Sequence, residues 1–312
     1  MQKYTIGIDA GGTKIAYGLF TSDGALKDRY QHPTDAEADG SNFSDKLIET
    51  VYQMLNKNNI NIDDLLGIGI CMPSFILFDE GFVCMTSAMP NIRDFHMRDY
   101  IYERLNVRVV LDNDSNVAAL AEHRYGAGRG HMHMVYIAAS TGIGSGIIIN
   151  NDVFRGSYGW AGECGHMIAT PDEGDMCGCR NRGCYMSYAS GKYASKCVES
   201  RIAGGAESTL SKYAKIDGEK ILDAYKNDDS LAVETIERMA KYFAVCLFNV
   251  YQLLNINLFV FGGGLTNFGD ALFKRIREHF DELLHIEKPV EFRFAELKKD
   301  FGIIGASELV KN

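Results

Sequence analysis

Residues 4–20 read Tyr4-Thr5-Ile6-Gly7-Ile8-Asp9-Ala10-Gly11-Gly12-Thr13-Lys14-Ile15-Ala16-Tyr17-Gly18-Leu19-Phe20. The residues alternate up to Asp9 and again from Ile15, the period of a strand with one buried face. Between the two halves lies a glycine turn, so the stretch predicts a β-hairpin with a carboxylate at the end of its first strand. A glycine turn lets backbone N–H groups approach a phosphate closely, because no Cβ intervenes and φ > 0 is allowed. The pattern returns at Met134-Val135-Tyr136-Ile137-Ala138, which leads through Ser140-Thr141-Gly142-Ile143-Gly144-Ser145-Gly146 into Ile147-Ile148-Ile149. A chain that repeats its own opening predicts two related α/β units.

Outward from the hairpin, residues 26–31 supply a third strand. Phe43, Leu47, Val51 and Leu55 then recur every four residues, as one face of a helix demands. Residues 66–71 read as a buried strand and 107–111 as another. Asp112-Asn113-Asp114-Ser115-Asn116 and an alanine-rich helix over 117–125 follow. The second unit is expected to carry a long helix over 230–254, a strand over 258–261, Gly262-Gly263-Gly264 and a helix over 268–284. A short helix over 303–310 ends the chain, and residues 200–229 are expected to be irregular or short helical. No linker rich in Pro, Ser or Gly separates the halves, which predicts face-to-face packing around a cleft.

The 312 residues make room for about two domains. With 46% apolar and 23% charged residues, the chain is ordinary globular material, which excludes disorder, collagen and coiled coil. Thirty-two glycines against five prolines is unusual, and the glycine needs a use. A net charge of −9 repels phosphate backbones and anionic lipid, so neither nucleic acid nor membrane is the expected partner. No apolar run approaches the ~20 residues of a membrane span, and Lys3 leads into alternation instead of a signal sequence, which predicts a cytoplasmic protein. Eight cysteines in such a chain suggest metal before disulfides.

Known nucleotide motifs fit poorly. Gly142-x-Gly144-x-Gly146 runs into three isoleucines where a dinucleotide fingerprint opens a helix, and no Gly-x4-Gly-Lys-Ser/Thr occurs. Two glycine turns facing one cleft would grip a polyphosphate, although each alone reads equally as a tight hairpin. Phosphoryl transfer needs alignment, charge neutralisation and a base, and a carboxylate just after a buried strand suits the last role. Asp112 and Asp114 both qualify; by alternation they would share a face opposite Asn113, unless a turn intervenes. The same cluster would also cap a helix through Ser115 or Asp114. Asp9 can hold Mg²⁺ directly or through water, or close an Asx turn. Cys177, Cys179 and Cys184 with His166 form a Cys3His set suited to tetrahedral zinc, a redox cluster being the alternative.

Six segments fall in order across nearly the whole chain: Asp9-x-Gly11-Gly12-Thr13-Lys14; Asn113-Asp114-x-Asn116 with Ala118-Ala119-x-Ala121-Glu122; Thr141-Gly142-Ile143-Gly144-x-Gly146; Glu163-x-Gly165-His166; Cys177-x-Cys179-x4-Cys184; and Gly262-Gly263-Gly264. Together they resemble the ROK family (repressor, open reading frame, kinase), whose enzymes include bacterial glucokinases, fructokinase, allose kinase and N-acetylhexosamine kinases. The resemblance implies an α/β, two-domain actin-like ATPase (ribonuclease H-like) fold with ATP and sugar in the interdomain cleft. The first domain would be residues 1–116 plus about 296–312, the second 117–295 with the zinc loop. It implies ATP-dependent phosphorylation of a hexose or hexose derivative with Asp114 as general base. Asp9, Gly11, Gly12, Thr13, Lys14, Thr141, Gly142 and Gly144 would serve ATP phosphates and Mg²⁺, and Gly262, Gly263 and Gly264 the nucleoside. Asn91, Asn113, Asp114, Glu163 and His166 would bind sugar. His166, Cys177, Cys179 and Cys184 would hold a structural Zn²⁺ that shapes the sugar pocket without activating water. The resemblance also implies a homodimer.

Two positions depart from the family pattern. Met186 stands where a glutamate usually accepts sugar hydroxyls, and Ser74 replaces the glycine after Pro73, although Pro90-Asn91 fits. Loss of one hydroxyl contact changes discrimination greatly, so a hexose meeting a more apolar wall at Met186 is expected in place of plain glucose: allose, fructose or an N-acetylhexosamine are alternatives. A repressor would need an added DNA-binding domain, for which the first strand at Tyr4 leaves no room. A sugar-binding protein with altered or lost catalysis is the remaining rival, against which stand Asp9, Asp114 and the three glycine loops.

Overall fold

The structure is a computed structural model and describes residues 2–86, 88–285 and 288–311. Its strands are β1 (Tyr4–Ala10), β2 (Lys14–Thr21), β3 (Leu26–Pro33), β4 (Leu65–Met72), β5 (Ser74–Leu77), β6 (Phe82–Thr86), β7 (Arg93–Phe95), β8 (Val109–Asn113), β9 (Met134–Ala139), β10 (Ile143–Ile149), β11 (Asp152–Val153), β12 (Leu258–Gly262) and β13 (Glu291–Phe294). Its helices are α1 (Gly40–Lys57), α2 (Met97–Leu105), α3 (Asp114–Tyr125), α4 (Met186–Ala189), α5 (Gly191–Ala203), α6 (Gly218–Lys226), α7 (Ser230–Leu254), α8 (Asp270–Leu283) and α9 (Phe301–Leu309). Two compact units emerge: Met1–His133 with Gly146–Gly162 and Ala295–Asn312, and Met134–Ser145 with Glu163–Phe294. The boundary expected after residue 116 falls inside α3, which stays whole in the first unit.

The repeat seen in the sequence is a repeat of topology. One five-stranded sheet has the order β3-β2-β1-β4-β8, the other β11-β10-β9-β12-β13; numbered within each sheet, both run 3-2-1-4-5. In the first, β1 and β2 are the antiparallel hairpin expected from residues 4–20, and β4 and β8 run parallel to β1. Its core is built by alternation: Ile6, Ile8, Tyr17 and Leu19 are fully buried, and α1 adds Phe43, Leu47, Val51 and Leu55, the face its four-residue spacing predicts. Asp39 starts α1, its carboxylate accepting the Asn42 N–H at 2.8 Å.

Glycine lets the C-terminal helix lie directly on the first sheet. A Cβ on Gly69 in β4 would stand 1.7 Å from the Ala306 carbonyl oxygen of α9, and one on Gly7 in β1 would stand 1.9 Å from that of Ile303. Much of the glycine excess therefore serves close backbone approach inside strands. In the second unit Phe259 and Phe261 of β12, Phe273 and Phe280 of α8 and Phe292 of β13 meet edge to face, with ring centroids 5.1–6.3 Å apart.

Three stretches differ from the sequence reading. A small antiparallel sheet, β5-β6-β7, occupies residues 74–95, where strands of three to five residues are too short to show a period. Strand β10 begins at Ile143, so the second turn is only residues 140–142, and Gly144 and Gly146 lie within the strand. Gly146 is there for space, since a Cβ would meet the Ser115 carbonyl oxygen at 2.3 Å. Helix α3 starts at Asp114, three residues earlier than its apolar pattern, because Asn113 caps it.

Candidate functional site

In the first unit three parallel strands bring two acids and a thiol to one end of the sheet. The register sets Asp9 of β1 beside Cys71 of β4, and Cys71 beside Asp112 of β8, in a single row at the C-terminal ends of the strands. Ligands of open α/β sheets bind at that end. A turn does intervene after the row: Asn113 ends β8 and Asp114 opens α3, so Asp112 and Asp114 part company. Asp112 is buried. Its Oδ1 accepts the Asn113 N–H and the Asn116 Nδ2–H, both at 2.8 Å, and its Oδ2 accepts Arg155 Nε–H at 2.8 Å.

Asp114 is half-buried, and its Oδ1 accepts the Ser115 N–H at 2.9 Å. Burial raises its carboxyl above the ordinary range, outweighing the Ser115 bonds that lower it. Asp9, half-buried beside the first turn of α9, is pushed up to about 6, first by burial and then by the charge of Asp114; Lys14 and the Cys71 thiol oppose the shift. Cys71 thus lies fully buried among acids, and the charges of Asp9, Asp114 and Asp112 add to burial in raising its thiol.

Asn113 is engaged at both ends: Oδ1 accepts the Ser115 N–H at 2.8 Å and Nδ2 donates to the Ser74 carbonyl at 3.2 Å, leaving one amide hydrogen. The departure at Ser74 therefore sits directly behind this predicted sugar ligand. Asn91 is exposed and donates to the Glu37 carbonyl at 2.8 Å. In the first glycine turn the Gly11 N–H already bonds the Lys14 carbonyl at 3.1 Å, whereas the Gly12 and Thr13 amides have no hydrogen-bond acceptor among the described residues, and Gly12, Thr13 and Lys14 are exposed. Neither Gly11 nor Gly12 has a positive φ. Gly12 is small for another reason: a Cβ would press on that of Ala88 at 2.9 Å.

In the second unit, Thr141 and Gly142 form the turn before β10, with the N-terminus of α5 bonded to it through Gly191 N to Ser140 O at 3.0 Å and Lys192 N to Thr141 O at 3.2 Å. Gly263 has φ 91°, and a side chain there would strike the Ala139 carbonyl oxygen at 2.5 Å, so the third loop requires glycine. Gly264 and Thr141 share a cavity of about 810 Å³ with Lys192, Lys215, Asp217 and Asn267. Patterning does not find the last four: Lys192 lies on α5, Lys215 and Asp217 on the poorly patterned 200–229 stretch, and Asn267 beyond the third glycine run.

His166, Cys177, Cys179 and Cys184 come together, with one donor atom from each within 4.8 Å of the others. His166 Nδ1 is 3.5 Å from Cys177 Sγ, and Cys179 and Cys184 Sγ are 3.5 Å apart. Zn–S bonds of about 2.3 Å in a tetrahedron require donor separations near these, so the set fits zinc. The other ring nitrogen of His166 is 4.0 Å from Glu163 Oε2. Met186 opens α4 two residues after the last of these cysteines, and its Sδ and Cε pack against Gly142.

Residues 5–312 match the model of the ROK family. The glucokinase of Halalkalibacterium halodurans is 32% identical over 316 residues, which cover 99% of this chain and 96% of that protein. The xylose repressor of Bacillus spizizenii is 28% identical, aligning 98% of this chain with 77% of the repressor. The crystal structure of a ROK family glucokinase from Streptomyces griseus in complex with glucose and AMPPNP has a TM-score of 0.77 and 28% identity, covering 99% of both chains. The shared order of two sheets, the actin-like ATPase arrangement of ROK sugar kinases, and the match along almost the full length lead to one conclusion: this chain belongs to the ROK family.

Proposed function

We propose that the protein is an ATP-dependent carbohydrate kinase that phosphorylates a hydroxyl of a hexose or hexose derivative, with Asp114 as general base. The observation that carries the reading is the row of Asp9, Cys71 and Asp112 at the C-terminal strand ends with Asp114 opening α3 just beyond it, Asp9 and Asp114 each held above the ordinary carboxylate range. A raised carboxylate is a better proton acceptor for a sugar hydroxyl. Asp114 takes that proton as the hydroxyl oxygen bonds the γ-phosphorus and the bond from phosphorus to the bridging oxygen of ADP breaks. The Gly12 and Thr13 amides, Lys14, Thr141 and Gly142 are suited to the phosphates; Gly11, with its amide bonded in the turn, and Gly144, within β10, shape the loops. The cavity at Gly264 has room for a nucleoside. Asp9, whose carboxylate faces the Cys71 thiol and the charge of Lys14, fits a divalent cation; Mg²⁺ there would neutralise phosphate oxygens.

Asn91, Asn113, Glu163 and His166 are assigned to the sugar, and the Cys3His set to a structural zinc. A cytoplasmic homodimer completes the proposal. Metal analysis of purified protein is expected to find about one zinc per chain, and chelation to lower thermal stability. Metal-free protein with unchanged melting would contradict the zinc. A panel of hexoses with ATP tests the activity: at least one should stimulate ADP release, and with Met186 in place of an acid, glucose should not clearly lead. A sugar sensor of the repressor type would bind sugar without stimulated ADP release.

A further inference from the structure

We propose that Arg155 is a positioning residue for the reaction, holding Asp112 so that the turn from β8 into α3 presents Asp114 in a fixed place. The inference rests on the kinase reading above. Asp112 clasps the junction from both sides: its Oδ1 takes the Asn113 N–H at the end of the strand and the Asn116 side chain on the first turn of the helix, with Asp114 between them. That oxygen can hold both donors only while the carboxylate plane is fixed. The other oxygen is anchored by Arg155 Nε at 2.8 Å, in a pair whose side chains are 14% and 2% exposed. Arg155 is itself fixed, its guanidinium carbon 3.8 Å above the centre of the Phe78 ring and its Nη1 donating to the Val153 carbonyl at 3.4 Å. Every atom in this chain of contacts belongs to the first unit.

A purely structural ion pair would alter stability alone. A positioning pair alters turnover, because a misplacement of about 1 Å far from the chemistry costs ~10²-fold. Arg155 also borders a cavity of about 470 Å³ with Arg108, Asp152 and Phe78, so a small cation can take its place once the side chain is removed. The experiment compares wild type and Arg155→Ala on the sugar that stimulates ADP release most, with and without millimolar guanidinium. The expected result is a fall in kcat of ~10²-fold with sugar KM within about threefold, and recovery of at least about tenfold in kcat on adding guanidinium. Where Arg155→Ala fails to fold, Asp112→Asn/Arg155→Ala, which buries no unpaired charge, carries the test, with the same loss of kcat expected. A folded variant within twofold of wild-type kcat, or a loss confined to KM, overturns the proposal while leaving the kinase reading intact. Wild type inactive on every sugar overturns both.

Discussion

Asp114→Asn is expected to lower kcat by about 10²–10⁴-fold, the contribution typical of a general base, while sugar KM stays within a few-fold. The substitution keeps shape and leaves an acceptor for the Ser115 N–H that Asp114 now holds at 2.9 Å, so α3 keeps its first turn. What disappears is an oxygen able to take a proton. In wild type, kcat should fall on acidification at a pH above the ordinary aspartate range. The sign follows from burial: it raises the Asp114 pKa, and only the deprotonated form is a base. In the asparagine variant that acid limb should vanish from the residual rate. A variant that retains both the rate and the limb assigns the base elsewhere.

Gly69→Ala is expected to damage the first unit more than any surface change. To reach even 3.0 Å from the new methyl, the Ala306 carbonyl has to retreat by more than 1 Å, and α9 with it. Overpacking a fixed core costs ~1–3 kcal/mol, and here the obstacle is backbone that no rotamer can move aside. We expect about 3 kcal/mol, or a fall in Tm of about 6–12 °C for a unit of this size. Gly204→Ala is the control: its Cβ would meet only ordinary contacts of 3.4–3.5 Å at a helix end, and the change should stay within ~0.5 kcal/mol. Equal melting of the two variants would show that α9 does not need this glycine.

These residues also mark what the sequence could reveal. The hairpin of residues 4–20, α1 and α7 are legible because alternation and the four-residue period act on neighbours along the chain. The same holds for the meeting of His166, Cys177, Cys179 and Cys184, whose residue types and spacing point to a metal. The use of Gly7 and Gly69 was not legible, because it depends on α9, more than 230 residues later in the chain. The sequence reading assigns Gly11 and Gly144 to the ATP phosphates, yet the Gly11 amide is already bonded within its turn and Gly144 lies inside β10. Asp112 looked like a second candidate base; its partners Arg155 and Asn116 make it an internal anchor, and only folding brings Arg155 to it. The β5-β6-β7 sheet escaped detection through the brevity of its strands.

Whether the protein is a sugar kinase is decided by sugar-stimulated ADP release from purified wild-type protein, with Asp114→Asn measured beside it. At least one hexose or hexose derivative is expected to raise ADP release well above that of ATP alone, and the variant to lose this stimulation by at least about 10²-fold. Sugar binding with no stimulated ADP release in the wild type would contradict the kinase reading.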